Sequence, residues 1–158
     1  MRSTPAISPV PRLTPGGYAR IVERLRDITE HRLPQMRPLL VDRERDERDV
    51  AEFERLQAEV DSLEALLAEA QVIVDDPARF EGRVELGMRV HVTLSDGSKA
   101  WVRPVHPAEA FLDDERISMT SPLGLALMGA RVSHVVWVGA PGGVWACTVL
   151  AVDPSAVD

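Results

Sequence analysis

Acidic side chains crowd one short segment of the chain and are its most chemically distinctive residues. The segment from Asp42 to Asp49 reads DRERDERD, which is five acids, three arginines and no apolar residue, for a formal charge of −2. A stretch without apolar side chains is not expected to be buried, so it forms either a tip between two elements or an exposed helical turn. The residues alone indicate a solvated turn whose acids cap a helix, with Asp49 as the candidate N-cap.

The other reactive side chains do not assemble into a catalytic motif. The single cysteine, Cys147, lies in an apolar run and is interpreted as a small core residue of a strand. The four histidines lack the spacing of zinc ligands. The sequence contains no nucleophile–base motif, phosphate-binding glycine loop or metal-ligand cluster. We therefore expect a protein that is not an enzyme and has no catalytic residues and no cofactor of its own.

Charge and hydropathy restrict the partners. The 158 residues carry a formal net charge of −7, which argues against bare nucleic acid as the main partner, because phosphate binding needs a basic surface. An acidic protein can still bind a nucleic-acid machine that has a positive channel. No apolar stretch reaches the roughly 18 residues of a membrane span, and the proline-rich N-terminus lacks a signal-peptide core. We expect a cytoplasmic protein without a membrane partner or sequence-specific DNA binding.

Two helices are predicted to flank the acidic segment. Residues 1–13 are interpreted as a flexible leader, and Thr14-Pro15 supplies a hydroxyl N-cap and a first-turn proline. Apolar residues then recur in three- and four-residue steps, with Pro34 and Pro38 predicted to kink or break the helix. A second helix over about 49–71 is predicted by apolar steps of 3, 4, 3, 4 and 3 at Phe53, Leu56, Val60, Leu63, Leu67 and Ala70. Together these predict an antiparallel coiled-coil hairpin over 14–73, with its tip near 42–49.

From Arg83 the hydrophobic period changes to two, which predicts strands. The expected strands cover 88–94, 99–105, 116–119, 134–138 and 144–152, with a short helix opened by Ser121 and Pro122. Residues 74–82 are interpreted as a linker and 153–158 as a tail. The three tryptophans, Trp101, Trp137 and Trp145, are interpreted as core or domain-packing residues. The predicted fold class is α+β: a helical hairpin followed by a small antiparallel β domain over 83–152 with a short helix.

Several motifs, in order along the chain, resemble the GreA/GreB family. The run Ile117-Ser-Met-Thr-Ser-Pro-Leu-Gly-Leu-Ala-Leu-Met-Gly129 is similar to the family's I-S-V-x-S-P-[IL]-x-x-A-[IL]-[IL]-G. It is followed, as in the family, by V-V-x-V at residues 135–138 and P-G-G at 141–143. Residues 13–17 resemble the opening L-T-x-x-G, and residues 70–73 resemble the exit A-Q-V-I. The resemblance covers about residues 13–152.

The resemblance implies a fold, a partner and a docking surface. It implies an FKBP-like fold for 83–152, without prolyl isomerase activity. It implies RNA polymerase as the partner, with this domain on the rim of the polymerase secondary channel and the hairpin reaching toward the active site. The implied polymerase-binding residues are those of the S-P motif: Thr120, Ser121, Pro122 and Leu123.

The resemblance also implies a role for the tip. In cleavage factors of the family, two tip carboxylates share an Mg²⁺ with the polymerase and orient a water that hydrolyses backtracked RNA, close to the RNA 3′ end. Here Asp46 and Asp49 take the corresponding positions, with Glu47 and Glu44 as further tip acids. The chemistry would belong to the polymerase, and this chain would complete or occupy its site.

The tip departs from the family pattern G-D-L-x-E-N-A-E-Y. Arg45 replaces the glycine, Glu47 the leucine, Asp49 the glutamate and Val50 the asparagine. The arm is also roughly nine residues shorter than is typical, which removes about 7 Å of reach at 1.5 Å per residue. Three functions therefore stay open: stimulation of RNA cleavage, blocking of the channel without cleavage, and a protein-interaction role resembling the regulator of nucleoside diphosphate kinase.

Overall fold

The computed structural model describes residues 10–41, 44, 46–74 and 76–154 of the chain. They form two compact units: a helical unit over residues 18–70, and a β unit made of residues 12–17 together with residues from 71 onward. Residues 1–9 of the leader predicted for 1–13 and residues 155–158 of the tail predicted for 153–158 lie outside the described residues, as do Asp42, Arg43, Arg45 and Asp75. Within the described part of the chain, no helix is long and apolar enough to cross a membrane.

The first limb of the hairpin is a continuous helix that contains one widened turn. Helix α1 (Pro15–Asp27) passes into a π-helical turn (Ile28–Arg32) and then into helix α2 (Leu33–Val41). The N–H of Leu33 donates to the carbonyl of Ile28, five residues earlier, immediately before Pro34, which has no N–H to donate. Pro38 lies inside α2. The helix continues through both prolines with a π turn before Pro34, so the predicted break is wrong, whereas the kink that was its alternative stays a prediction.

The second limb is helix α3 (Glu47–Glu69), 23 residues long. It begins at Asp46, whose backbone is extended and whose carboxylate accepts a hydrogen bond from the N–H of Arg48 at 2.9 Å. At 1.5 Å per residue the helix spans about 35 Å. The expectation that Asp49 caps this helix is wrong, because Asp49 lies in its first turn and Asp46 is the cap.

A small apolar cluster and a charged pair hold the two limbs together. Ile28, Leu33 and Leu56 are buried and pack against one another. Met36, Phe53, Val60 and Leu63 are half-buried around them, which confirms most of the predicted apolar seam. Beside the cluster, the guanidinium of Arg24 donates twice to the carboxylate of Glu59, at 2.8 and 3.1 Å.

The β unit begins with a pair of short strands from distant parts of the chain. Strand β1 (Arg12–Leu13) pairs in parallel with β2 (Gln71–Val72), and Leu13 is fully buried. The sequence interpretation placed residues 12–13 in a leader and 71–72 in the hairpin, and at these residues it is wrong. A 3-10 turn (Pro77–Arg79) interrupts the predicted linker.

Five further strands form one sheet with the order β5-β4-β3-β7-β6. They are β3 (Arg89–Thr93), β4 (Lys99–Val105), β5 (Arg116–Ser118), β6 (Val135–Ala140) and β7 (Gly143–Asp153). All neighbouring pairs are antiparallel except β4–β5, which is parallel. The prediction of an antiparallel domain is therefore wrong for this pair, because the chain crosses back through residues 106–115 before it enters β5.

One face of this sheet carries the core. Helix α4 (Pro122–Leu127) packs against strands β4, β5 and β6. The buried core residues are Val84, Val90, Val92, Val102, Leu127, Ala130, Val138, Cys147 and Val149. The interpretation of Cys147 as a core residue is thus confirmed, and burial raises the pKa of its thiol.

The three tryptophans occupy different environments. Trp145 packs against the core. Trp101 is half-buried and stacks on His91 with the ring centroids 4.7 Å apart, while the guanidinium of Arg89 lies over the Trp101 ring. Trp137 is 68 % exposed, so its interpretation as a core residue is wrong. Alternation along β6 turns Val138 to the core and Trp137 to solvent.

Candidate functional site

The predicted tip acids cluster at the start of α3. Asp46, the N-cap, and Glu47 are exposed, whereas Asp49 in the first turn is half-buried. Glu44 is also exposed and lies just before the helix. The partial positive charge of a helix N-terminus favours carboxylates at these positions. The structure therefore brings the predicted acids together, in an arrangement that helix stability alone already explains.

The geometry of Asp46 limits what the tip can do alone. One of its carboxylate oxygens accepts the Arg48 N–H, so that oxygen is committed to the helix. Among the described residues, no group of three or more His, Cys, Asp or Glu side chains could hold a metal ion. Because Mg²⁺ requires near-octahedral oxygen coordination, the described acids do not fit a resident metal. They could contribute to a cation only where a partner supplies the other ligands.

One helical turn beyond the tip, an acid is already engaged by arginines. Both carboxylate oxygens of Glu52 accept from Arg55, at 2.6 and 2.9 Å, and Arg32 approaches to 3.8 Å from the opposite limb. The hydrogen bond from Arg55 is the main cause that lowers the pKa of Glu52. Glu52 is therefore less available to a partner than the exposed acid Glu47 in the first turn of α3.

A second candidate surface lies between β5 and α4, where hydroxyl groups fix the backbone. The Ser118 hydroxyl accepts from the N–H of Thr120, and the Ser121 hydroxyl donates to the carbonyl of Ser118 at 2.6 Å. The same Ser121 hydroxyl accepts from the N–H of Gly124 and so caps α4. The segment is held by side-chain hydrogen bonds on both sides of the turn. It is therefore pre-organised, which lowers the entropic cost of binding.

The predicted docking residues divide into exposed and packed ones. Thr120 and Pro122 are exposed, whereas Ser121 and Leu123 are half-buried, and Leu123 packs against the core. Leu125, which lies further along the same helix α4, is 56 % exposed. Capping and packing thus account for Ser121 and Leu123. The side chains available to a partner are Thr120, Pro122 and Leu125, the last of which the sequence did not single out.

Gly124 explains why this segment tolerates little change. A Cβ atom at this position would lie 2.0 Å from the carbonyl oxygen of Ser118, a backbone atom that cannot rotate away. Helix α4 therefore approaches the end of β5 as closely as it does only because residue 124 is glycine. The glycine in the S-P-L-G motif is a requirement of close packing.

The β6–β7 hairpin carries an exposed apolar face that the strand pattern of the sequence did not predict. Val135, Trp137 and Val144 are each more than half exposed, and they project from the side of the sheet opposite the core. Residues 135–148 contain no charged side chain, although charged residues make up 27 % of the chain. That charge-free run is the signal that could have identified this face before the structure was known.

A buried polar cluster in the β unit was also missed. Glu109, at the end of the 3-10 turn Pro107–Glu109, is fully buried and bonds to the backbone and hydroxyl of Thr14. Arg116 lies beside it, with Nε 3.5 Å from a Glu109 carboxylate oxygen. The sequence around Glu109 has no regular period, and its partner is 95 residues away. The residues that neighbour Glu109 in the sequence therefore give no indication that its side chain is buried.

Comparisons with known proteins agree with the motifs. Residues 79–154 match the family model described as "Transcription elongation factor, GreA/GreB, C-term". Transcription elongation factor GreA of Thermotoga petrophila is 33 % identical over 151 residues, covering 89 % of this chain and 96 % of that protein. GreA of Chloroflexus aggregans is 40 % identical over 98 residues, covering 61 % of this chain and 62 % of that protein. The solved structure of GreA factor homolog 1 (Gfh1) of Thermus thermophilus is 32 % identical, covering 90 % of this chain and 98 % of that one with a TM-score of 0.38.

The alignment with the Thermotoga protein bears on chain length. Coverage of 89 % of 158 residues corresponds to about 141 residues, whereas the alignment extends over 151, so about ten aligned positions have no counterpart in this chain. The difference agrees in size with the shortening that the sequence predicts for the helical arm.

Proposed function

Because the chain belongs to the GreA/GreB family of transcription elongation factors, we propose that it binds bacterial RNA polymerase at the secondary channel and regulates elongation from there. The observation that carries the proposal is similarity to a GreA protein along nearly the whole chain. Under this proposal the protein works in the cytoplasm, beside the polymerase. It acts through the polymerase active site and is not an enzyme itself. The β unit would be an FKBP-like docking scaffold.

The docking surface in this proposal is the turn between β5 and α4. Its exposed residues Thr120 and Pro122 stand on a backbone that the hydroxyls of Ser118 and Ser121 already fix, so little conformational entropy is lost on binding. Leu125 would add apolar contact area on the same helix. We expect the paired substitution Thr120→Ala and Pro122→Ala to weaken polymerase binding about tenfold or more.

A binding experiment tests this surface directly. The control is Lys99→Ala, which removes an exposed side chain on β4 of the same unit. Affinity of full-length protein for core polymerase would be measured by fluorescence anisotropy. Native-like affinity in the double variant would exclude this turn as the docking site. Absence of binding by the native protein would overturn the proposed function as a whole.

The tip acids give the proposal two mechanistic forms. In the first, Asp46 and Asp49 share an Mg²⁺ with the polymerase and promote cleavage of backtracked RNA near its 3′ end. In the second, the arm occupies the channel and hinders nucleotide addition without cleavage. One observation favours occupation: the cap uses one oxygen of Asp46. The shortening of the arm that the sequence predicts would act in the same direction, because it reduces the reach of the tip.

A role like that of the regulator of nucleoside diphosphate kinase is less well supported. The hairpin argues against such a role, because α3 alone has 23 residues and its apolar seam packs against the first limb. A packed hairpin of this kind suits a protein that reaches into a channel.

Two substitutions at one residue separate the carboxylate's chemistry from its structural role. Serine caps a helix about as well as aspartate, whereas alanine does not. Asp46→Ser therefore removes the carboxylate and keeps the cap, and Asp46→Ala removes both. RNA shortening in a backtracked complex and the rate of nucleotide addition in an active complex would be measured for both variants.

The two forms predict different results for these variants. If the tip promotes cleavage, native protein shortens the RNA and both variants lose that effect. If the arm occupies the channel, native protein leaves backtracked RNA uncut and slows nucleotide addition, and Asp46→Ser retains most of that slowing. A native protein that neither shortens RNA nor slows addition would contradict both forms.

A further inference from the structure

Glu109 is a buried carboxylate, although glutamate is normally found at the protein surface. It belongs to the β unit, is fully buried, and accepts two hydrogen bonds from Thr14: the backbone N–H at 2.8 Å and the side-chain hydroxyl at 2.5 Å. Burying a carboxylate is costly unless hydrogen bonds and charge compensate for lost water. We therefore expect the two hydrogen bonds from Thr14 to Glu109 to have a structural role.

The consequence concerns the start of helix α1. Thr14 is itself fully buried, and its hydroxyl oxygen accepts the N–H of Gly17 at 3.0 Å, the usual geometry of an N-cap. A hydroxyl has one proton, and here that proton points to Glu109. The lone pairs are thereby left facing the helix. Glu109 thus orients the group that caps α1.

Gly17 shows how closely the carboxylate approaches the helix. A Cβ atom at residue 17 would lie 1.7 Å from one oxygen of Glu109 and 2.1 Å from its carboxyl carbon. A larger residue at position 17 would therefore displace the Glu109 carboxylate from the first turn of α1. Thr14, Gly17 and Glu109 form one packed unit, which we call the root cluster.

A single arginine, Arg116, offsets part of the negative charge around the root cluster. The Arg116 side chain is only 7 % exposed, and its Nε lies 3.5 Å from Glu109. The same guanidinium bonds to the carboxylate of Asp113 and approaches the Thr14 hydroxyl at 3.5 Å. Two acids and one arginine thus share the site, and the acid that faces α1 is Glu109.

Helix α1 continues without a break from this cluster to Asp27, and so into the first limb of the hairpin. We propose that Glu109 is a positioning residue: by holding Thr14 and Gly17, it fixes the first turn of α1, on which the action of the arm in the polymerase depends. This proposal rests on the proposed function. Glu109 contacts no part of the polymerase in this scheme and acts only through Thr14.

Substitutions at Thr14 test the idea with little change in shape. Valine has nearly the shape of threonine and lacks the hydroxyl, whereas serine keeps the hydroxyl, so Thr14→Val and Thr14→Ser form a matched pair. Glu109→Gln removes the charge at the other end of the bond. Glu115→Gln is the control, because Glu115 bonds to Arg89 in the same unit and is 44 % exposed.

Two measurements on the full chain are needed. The first is hydrogen exchange at the Gly17 amide, which should become about tenfold faster in Thr14→Val and Glu109→Gln while the amides of β3 and β7 stay protected. The second is transcription at saturating protein. We expect polymerase affinity within about twofold of native and a maximal effect on elongation reduced about fivefold or more, with Thr14→Ser and Glu115→Gln native-like.

The outcomes separate the two proposals. A native maximal effect in Thr14→Val, despite faster exchange at Gly17, would overturn the positioning role while leaving the proposed function intact. Unchanged exchange in Thr14→Val and Glu109→Gln would overturn it at its structural step. If native protein fails to bind or affect the polymerase, the proposed function fails and the positioning role falls with it. A reduced maximal effect with unchanged affinity, restored by serine, supports both.

Discussion

Substitution of Leu56 by alanine should melt the helical arm selectively. Leu56 is fully buried, and only Ile28 and Leu33 are buried with it in the apolar cluster of the hairpin. Truncation of a buried leucine to alanine costs about 2–5 kcal/mol, and less where neighbours can close the cavity. The surrounding Phe53 and Val60 are only half-buried and can relax, so we expect about 2–3 kcal/mol.

The positions of the tryptophans make this loss measurable unit by unit. All three tryptophans lie on strands of the β unit, so their fluorescence reports that unit. Far-ultraviolet circular dichroism reports mainly α1, α2 and α3. With a urea dependence of about 1–3 kcal/mol per molar, Leu56→Ala should lower the midpoint of the dichroism transition by about 1–2 M. The tryptophan transition should move much less.

Leu67→Ala is the matched control for this substitution. It makes the same chemical change in the same helix, at a half-buried position outside the cluster, and should cost under about 1 kcal/mol. Equal shifts in the two variants would show that the cluster around Leu56 does not hold the hairpin. Under the proposed function, Leu56→Ala also keeps affinity for the polymerase through the β unit and loses its effect on elongation.

Two further predictions follow from single contacts. The hydrogen bond from Arg24 is the main cause that lowers the pKa of Glu59. The pair therefore stabilises the fold fully above the unfolded pKa of about 4.3. This contribution is lost as the pH falls through the lower pKa of the folded state. Because the pair is about one-third exposed, it contributes under about 1 kcal/mol to the free energy of unfolding. In urea titrations, the native protein should be more stable than Glu59→Gln near neutral pH and should lose this difference below about pH 4. Gly124→Ala places a methyl group against the Ser118 carbonyl and should lower the free energy of unfolding by about 1–3 kcal/mol. Under the proposed function, it should also lower the affinity for the polymerase. Gly139→Ala, where nothing lies within 4 Å of the new methyl group, should leave both quantities near native.

The elements that the sequence predicted well are those set by local periodicity. The seam from Phe53 to Leu63 and the alternation along β3 and β4 encode which side of each element is buried, so the hairpin and the strands could be predicted. The cap of α3 was misplaced because Asp46 and Asp49 are both good N-cap residues. The extended backbone at Asp46 decides between them, and that conformation is not written in the residue types.

The features that were missed depend on partners far away in the chain. The parallel pairing of β4 with β5 depends on how residues 106–115 cross back, and that segment has no periodic pattern. Glu109 would normally be expected at the surface. Its burial is explained by Thr14, which lies 95 residues earlier in the sequence and donates a hydrogen bond to it in the folded chain. Trp137 was interpreted by residue type as a core or domain-packing residue, and the register of β6, which points it away from the core, excludes the first alternative.

The two halves of the candidate site are under unequal structural constraint, and this bears on how the function could vary. At the docking turn, Gly124 is constrained by the Ser118 carbonyl and Ser121 by two hydrogen bonds, so substitutions at these two residues would disturb the β unit itself. At the tip, Asp46 and Glu47 are exposed, and a change at Asp46 costs at most one helix cap, about 0.5–2 kcal/mol.

The fold therefore tolerates change at the tip far better than at the docking turn. Residues 79–154, which include the docking turn, match the family model, whereas the tip departs from the family pattern at four positions, including Glu47 and Asp49. Under the proposed function, a chain of this design can keep its place on the polymerase while its tip changes from one that completes a metal site to one that only fills the channel. The choice between cleavage and occupation then depends on a few solvated side chains at the start of α3, and the comparison of Asp46→Ser with Asp46→Ala addresses that choice without disturbing the rest of the molecule.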